Sequence, residues 1–124
     1  HIQLKSTKEI GLKGEVFARD YFIKCGYKVL EQNWAFKKCE VDLIVQLENI
    51  ICFVEVKTRK DSFIIDPILS VSLSQQSRII NCANQYIIQH SIEEEIRFDI
   101  IGIVDNKGEF ELTHLKEAFY PTID

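Results

Sequence analysis

Glu40-Val41-Asp42-Leu43-Ile44-Val45-Gln46-Leu47-Glu48-Asn49-Ile50-Ile51-Cys52-Phe53-Val54-Glu55-Val56-Lys57-Thr58 reads as two apolar strands joined by a short polar turn. Both strands carry acidic residues in apolar company, where desolvation of a carboxylate has to be compensated. Strand alternation puts Ile51, Phe53, Glu55 and Lys57 on one face and Cys52, Val54 and Val56 on the other, core-directed face. A two-residue turn at Glu48-Asn49 makes Leu47 face Ile50, and the same register sets Asp42 opposite Glu55 and Glu40 opposite Lys57. A four-residue loop centred there gives the same register, whereas an odd loop does not. Facing residues have β-carbons only ~4.5–5.5 Å apart, so these two carboxylates repel unless a proton or a cation lies between them. Hard oxygen donors suit Mg²⁺ or Mn²⁺. Lys57, two residues beyond Glu55 on the same face, is placed to neutralise charge in a phosphoryl transition state or to orient a water. The alternative is a cross-strand network without a ligand, in which Lys57 pairs with Glu40 or Glu55. Spacing alone leaves both readings open.

Working outward, the run Tyr27 to Phe36 reads as a further strand, divided from Glu40–Leu47 by the polar break Lys37-Lys38-Cys39. With Ile50–Thr58 it predicts a meander of three antiparallel strands. Ahead of it, Ser6 and Glu9 resemble a capping box for a helix from about residue 7 to 25. Ile10, Gly14, Phe17, Ala18, Tyr21 and Phe22 form its buried face, and Gly26 is well placed to stop it. Gly11 and Gly14 are costly inside a helix, by ~1 kcal/mol each relative to Ala; they point either to close helix–sheet packing or to a helix that begins late. After the meander, Arg59 to Leu69 contains Asp66-Pro67 and no clean period, so a loop is expected. A second helix over about 72–90 buries Ile79, Ile80, Ala83 and Ile87, with Arg78, Asn81, Gln85 and Gln89 elsewhere. Arg97 to Val104 reads as a strand, and Asn106-Lys107-Gly108 as a hairpin turn into Glu109–Leu115. The order α-β-β-β-α-β-β predicts a single α/β domain over residues 1–124, a sandwich with a mixed five-stranded sheet flanked by helices.

Composition narrows the class of function. No apolar run is long enough to span a membrane, and no basic-then-apolar leader pattern opens the chain. Cys25, Cys39, Cys52 and Cys82 are irregularly spaced, with no C-x-x-C pair and no neighbouring His cluster; this favours free thiols in a reducing cytoplasm over a zinc site or a secreted disulfide framework. The net charge of −4 argues against a simple basic DNA-coating protein. Its distribution is uneven: residues 1–60 hold 11 Lys/Arg against 8 Asp/Glu, and residues 61–124 hold 4 against 11. The first half is thus suited to approach a phosphate backbone, although surface charges fall this way equally often without a ligand.

Asp42 followed by Glu55-Val56-Lys57 resembles the PD-(D/E)XK signature of restriction-endonuclease-like nucleases. The flanking residues are more specific. Gly11-Leu12-Lys13-Gly14-Glu15 with Ala18, Gly26-Tyr27, Asn33-Trp34, Glu40-Val41-Asp42-Leu43-Ile44, Phe53-Val54-Glu55-Val56-Lys57-Thr58-Arg59, Arg97-Phe98-Asp99-Ile100-Ile101 and His114-Leu115…Ala118-Phe119 together resemble the YraN family of bacterial proteins. That family is described as predicted endonucleases related to Holliday junction resolvases. The resemblance implies a restriction-endonuclease-like fold and metal-dependent hydrolysis of DNA, at branched or repair intermediates. It implies Asp42 and Glu55 as ligands of Mg or Mn, Lys57 as the catalytic lysine, and Glu15 as an additional acidic residue reaching the metal or its waters. Arg59, Lys60 and Arg78 are then the expected phosphate contacts. A homodimer would suit cutting of two strands, and repair proteins are expected partners. A non-cleaving nucleic-acid-binding or adaptor module on the same fold is the competing expectation. Two positions depart from the family pattern: Cys39 stands where a glycine is usual, and Gln75 where a basic residue is often found, leaving Arg78 as the nearest cation.

Overall fold

The computed structural model describes residues 7–60 and 71–121. The expected Ser6 cap, and the greater part of the loop expected from Arg59 to Leu69, lie outside them. Helix α1 spans Thr7–Lys24. It packs on the sheet through Ile10, Gly14, Ala18 and Phe22, spaced four apart and all buried. Phe17, expected on that face, is instead 38 % exposed and meets the ring of Phe110 edge-on at 5.3 Å. The reason lies at Gly14: an added β-carbon there would collide with the Thr58 hydroxyl. The helix therefore makes its close approach to the sheet at Gly14, with Phe17 turned to the flank. Since the helix already begins at Thr7, close packing rather than a late start accounts for Gly14.

Gly26 ends α1 in a left-handed conformation at φ +91°. The N–H of Tyr27 returns to the Phe22 carbonyl and that of Gly26 to the Ile23 carbonyl, the paired bonds of a Schellman motif. Tyr27 and Phe22 also pack edge-to-face, 5.0 Å between ring centres, which supplies the apolar contact that accompanies such caps.

Strands β1 (Lys28–Phe36), β2 (Cys39–Leu47) and β3 (Ile50–Arg59) form the expected antiparallel meander. Leu47 pairs with Ile50 and Leu43 with Val54, the register of a two-residue turn at Glu48-Asn49. Helix α2 (Leu73–His90) then crosses over, so that β4 (Glu95–Asn106) runs parallel to β3 while β5 (Glu109–Phe119) returns antiparallel. Strand order follows chain order, β1-β2-β3-β4-β5. Ala18, Phe22 and Tyr27 share one apolar cluster with Cys52, Val54, Ile101 and Ile103. Ile79, Cys82, Ala83 and Tyr86 of α2 share another with Ile51, Phe53, Phe98 and Ile100. The mixed sheet thus lies between two helices, a restriction-endonuclease-like sandwich.

Two expected boundaries shift. In α2 the buried stripe is centred on Ile79, Cys82, Ala83 and Tyr86, with Ile80 and Ile87 only half-buried. Tyr86 takes the extra place because its ring packs on Trp34 and Phe53 while its hydroxyl donates to Glu31 at 3.3 Å. Strand β5 runs four residues beyond the expected Leu115, across a register shift between Ile100↔Leu115 and Phe98↔Phe119. The buried Asp99 carboxylate accepts the Glu117 N–H at 3.2 Å there, serving an amide that the irregular ladder leaves over.

Candidate functional site

The paired ladder between β2 and β3 is traced only as far as Leu43↔Val54. One step on, where Asp42 and Glu55 are expected to face each other, Asp42 Oδ2 accepts the Val56 N–H at 2.7 Å. A side chain thus takes the place of a ladder bond, and the expected opposition of Glu40 and Lys57 falls beyond the paired region. Asp42 and Glu55 still meet through their side chains. Glu15 reaches across from α1 to hydrogen-bond Asn33 and Asp42. Lys57 Nζ lies 3.5 Å from Glu55 Oε1, with side chains 27 % and 15 % exposed. The structure therefore brings Glu15, Asp42, Glu55 and Lys57 together, and it contains the Glu55–Lys57 pair that a ligand-free charge network would require.

Burial is the largest influence on all three carboxyls. It raises Asp42 to about 8, with Glu55, Glu15 and Glu40 adding repulsion and the Val56 N–H opposing it. Burial also raises Glu55, against the lowering effect of Lys57, and raises Glu15, against a hydrogen bond from Asn33. Burial first, and then the neighbouring carboxylates, thus favour the protonated form of Asp42 in the ion-free site. Oxygen donors with surplus negative charge are the donor set that Mg²⁺ or Mn²⁺ favours. In donor chemistry the residues fit such an ion. In arrangement they are less complete: among the described residues, no group of three or more His, Cys, Asp or Glu side chains is gathered to hold a metal ion. The carboxyls touch pairwise without converging on one point. The two observations bear on different things, the charge of the site and the aim of its side chains.

Beside these residues a polar cleft of about 150 Å³ opens between the start of β2 and the first turns of α2, lined by Lys38, Cys39, Glu40, Glu55, Gln75, Arg78 and Ile79. Of the expected phosphate contacts, Arg78 lines this cleft, while Arg59 and Lys60 are exposed at the end of β3. Gln75 has a structural role, closing a capping box with Ser72 in which each side chain bonds the other's backbone N–H at 3.1–3.2 Å. Sequence reasoning gave no site role to Asn33 or Lys38. Asn33 carried a signal, since it occupies a left-handed position at φ 50° where Asn is favoured over most residues. Lys38 had none beyond its place in a turn; the crossing of α2 puts it on the cleft wall.

A mixed sheet between two helices, with acidic residues gathered where two central strands part, defines a restriction-endonuclease-like protein. The chain belongs to the Uncharacterised protein family UPF0102, whose family profile matches residues 14–103, a span that includes Glu15, Asp42, Glu55, Lys57 and Arg78. The chain is 38 % identical to UPF0102 protein FP2501 of Flavobacterium psychrophilum over 112 residues, which covers 90 % of this chain and 94 % of the relative. It is 40 % identical to a UPF0102 protein of Flavobacterium johnsoniae, covering 90 % and 94 %. With a UPF0102 protein of Parabacteroides distasonis it shares 36 % identity, covering 90 % and 93 %. No helix of the described residues is long and apolar enough to cross a membrane.

Proposed function

We propose that the protein is a metal-dependent endonuclease that hydrolyses DNA phosphodiester bonds, with branched or repair intermediates as its substrates. The observation that carries this reading is the meeting of the buried Asp42 carboxyl with Glu55 and Glu15, with Lys57 Nζ 3.5 Å from Glu55 Oε1. Asp42 and Glu55, assisted by Glu15, would hold Mg or Mn. When bound, the ion supplies Lewis-acid charge beside the scissile phosphate.

This chain's own residues do the remaining work. Glu55 Oε1 holds the Lys57 ammonium at 3.5 Å, which keeps a cation at the position where charge develops on a reacting phosphate. Asn33 fixes Glu15 against Asp42, so that the helix and the sheet share one site. Arg78 on the cleft wall, and Arg59 and Lys60 at the exposed end of β3, contact flanking phosphates and set the register of the strand without reading its sequence. A homodimer would present two such sites to the two strands of a duplex, and repair proteins are the partners expected to deliver branched substrates.

The test is cleavage of linear and branched DNA in Mg²⁺ or Mn²⁺ by the wild type and by Asp42→Ala and Lys57→Ala. Metal-dependent cutting that falls at least a hundredfold in both variants supports the reading; an Asp42→Ala protein that cuts as well as wild type removes it. The Glu55–Lys57 pair and the unconverged carboxyls favour a second reading, a non-cleaving nucleic-acid-binding module. Salt-sensitive DNA binding that survives both a chelator and Glu55→Ala, without cutting, would identify that module.

A further inference from the structure

We propose that Cys39 and Cys82 form a site of reversible thiol oxidation, closing to a disulfide that joins the start of β2 to α2 beneath the polar cleft. Cys39 is half-buried and lines that cleft. Its thiol donates to the Phe36 carbonyl at 3.0 Å. Cys82 lies one helical turn beyond Arg78 on α2, fully buried in the same apolar cluster against which Cys39 packs. Its thiol neighbours that of Cys39, whose side chain packs against the cluster that holds Cys82. Two free thiols, far apart in sequence and on different elements, thus lie on facing elements beneath the cleft. The other cysteines lack this arrangement: Cys25 is exposed at the end of α1, and Cys52 is buried in the cluster on the opposite face of the sheet.

The oxidant is a low-molecular-weight disulfide such as oxidised glutathione. The Cys39 thiolate, reached from the cleft, attacks one sulfur of it, forming a mixed disulfide and expelling one glutathione thiolate. Cys82 then gives up its proton and attacks Cys39 Sγ, forming the protein disulfide and expelling the second glutathione. In balance, two protein thiols are oxidised and one glutathione disulfide is reduced to two thiols. Burial pushes the Cys82 thiol up to about 12, which assigns the first attack to Cys39 and makes the second step the slow one. The product ties both walls of the cleft together, since Lys38, Cys39 and Glu40 form one and Gln75, Arg78 and Ile79 the other. The cross-link itself does not depend on whether the neighbouring carboxyls bind a metal.

The experiment is to incubate the full chain with oxidised glutathione, alkylate the remaining thiols, and map peptides by mass spectrometry without reduction. A single linked pair containing Cys39 and Cys82, reversed by dithiothreitol, should appear beside any glutathione adduct formed on exposed Cys25. Cys82→Ala should stop at glutathionylated Cys39, and Cys39→Ser should leave Cys82 unmodified. A wild type that stays glutathionylated at Cys39 with Cys82 still a free thiol, or linked pairs that involve Cys25, would overturn the proposal.

Discussion

Asp42 and Asp99 are both aspartates in the interior of one sheet, and their surroundings drive them in opposite directions. Burial raises Asp42 to about 8, and the neighbouring Glu55 adds to it. Burial would raise Asp99 as well, but hydrogen bonds from His114 at 2.7 Å and from Arg97 at 2.9 Å outweigh it and hold the carboxyl below its usual range. The signs for stability follow. A folded state that keeps a proton on Asp42 between about pH 4 and about pH 8, where the unfolded chain has lost it, becomes less stable as pH rises through that window. Asp99 contributes stability that is present above about pH 4 and fades as pH falls below it. Asn mimics a protonated Asp42 but cannot ionise. In metal-free protein, the stability advantage of Asp42→Asn over wild type should therefore widen from about pH 5 to about pH 8 and level off above, as read from denaturant melts. An advantage that does not change with pH would show that Asp42 is ionised throughout. Asp99→Asn should behave otherwise, costing about 3–5 kcal/mol at neutral pH because it leaves Arg97 without its buried partner. The Arg97 side chain is only 11 % exposed.

Among the elements, α1 makes the sharpest claim, because two glycines on it differ only in what faces them. A β-carbon on Gly11 would have nothing of the described residues within 4 Å, while one on Gly14 would run into Thr58. Gly11→Ala should stabilise by about 0.5–1 kcal/mol through helix propensity. Gly14→Ala should destabilise by about 1–3 kcal/mol, since the helix must lift from the sheet. The Thr58 hydroxyl is buried with no hydrogen-bond partner among the described residues, so Thr58→Ala should cost little alone and restore most of the loss in the Gly14→Ala background. A double-mutant cycle on thermal melts would show that coupling; additive effects would mean that the contact is not what limits the helix.

The same elements show what could be read from sequence. The β2–β3 register was legible because the period of two and an even turn leave one solution, and Leu47↔Ile50 confirms it. The turn between β4 and β5 behaved likewise: Lys107 and Gly108 both take positive φ, which Asn106-Lys107-Gly108 signals. What stayed hidden depends on contacts between distant segments. Phe17 follows the helical period yet lies off the face, because Thr58 sets how α1 is rolled. The extra length of β5 rests on Asp99, whose own strand gives no hint that it will serve Glu117. The nearness of the Asp42 and Glu55 side chains was legible, but their ladder pairing is replaced by the Asp42–Val56 bond, which was not. Cys39 and Cys82 looked unrelated until α2 brought one over the other.

Over the whole molecule, charge is unevenly divided along the sequence. Residues 1–60 carry 11 Lys/Arg against 8 Asp/Glu and hold Glu15, Asp42, Glu55, Lys57, Arg59 and Lys60, whereas residues 61–124 are strongly acidic. The acidic half contributes α2 and, with it, Arg78 on the cleft wall. On the proposed function, the basic first half of the sequence would approach phosphates and the acidic second half would be kept from them. Nuclease activity nevertheless turns on whether the clustered carboxyls take a divalent cation. The most direct measurement is calorimetric titration of Mn²⁺ and Mg²⁺ into the wild type and Asp42→Ala at about pH 8, the value to which burial raises Asp42. Saturable binding in the wild type that is lost in Asp42→Ala is the predicted result. No binding to either protein, even with branched DNA present, would contradict it and leave Asp42, Glu55 and Lys57 as a structural charge network.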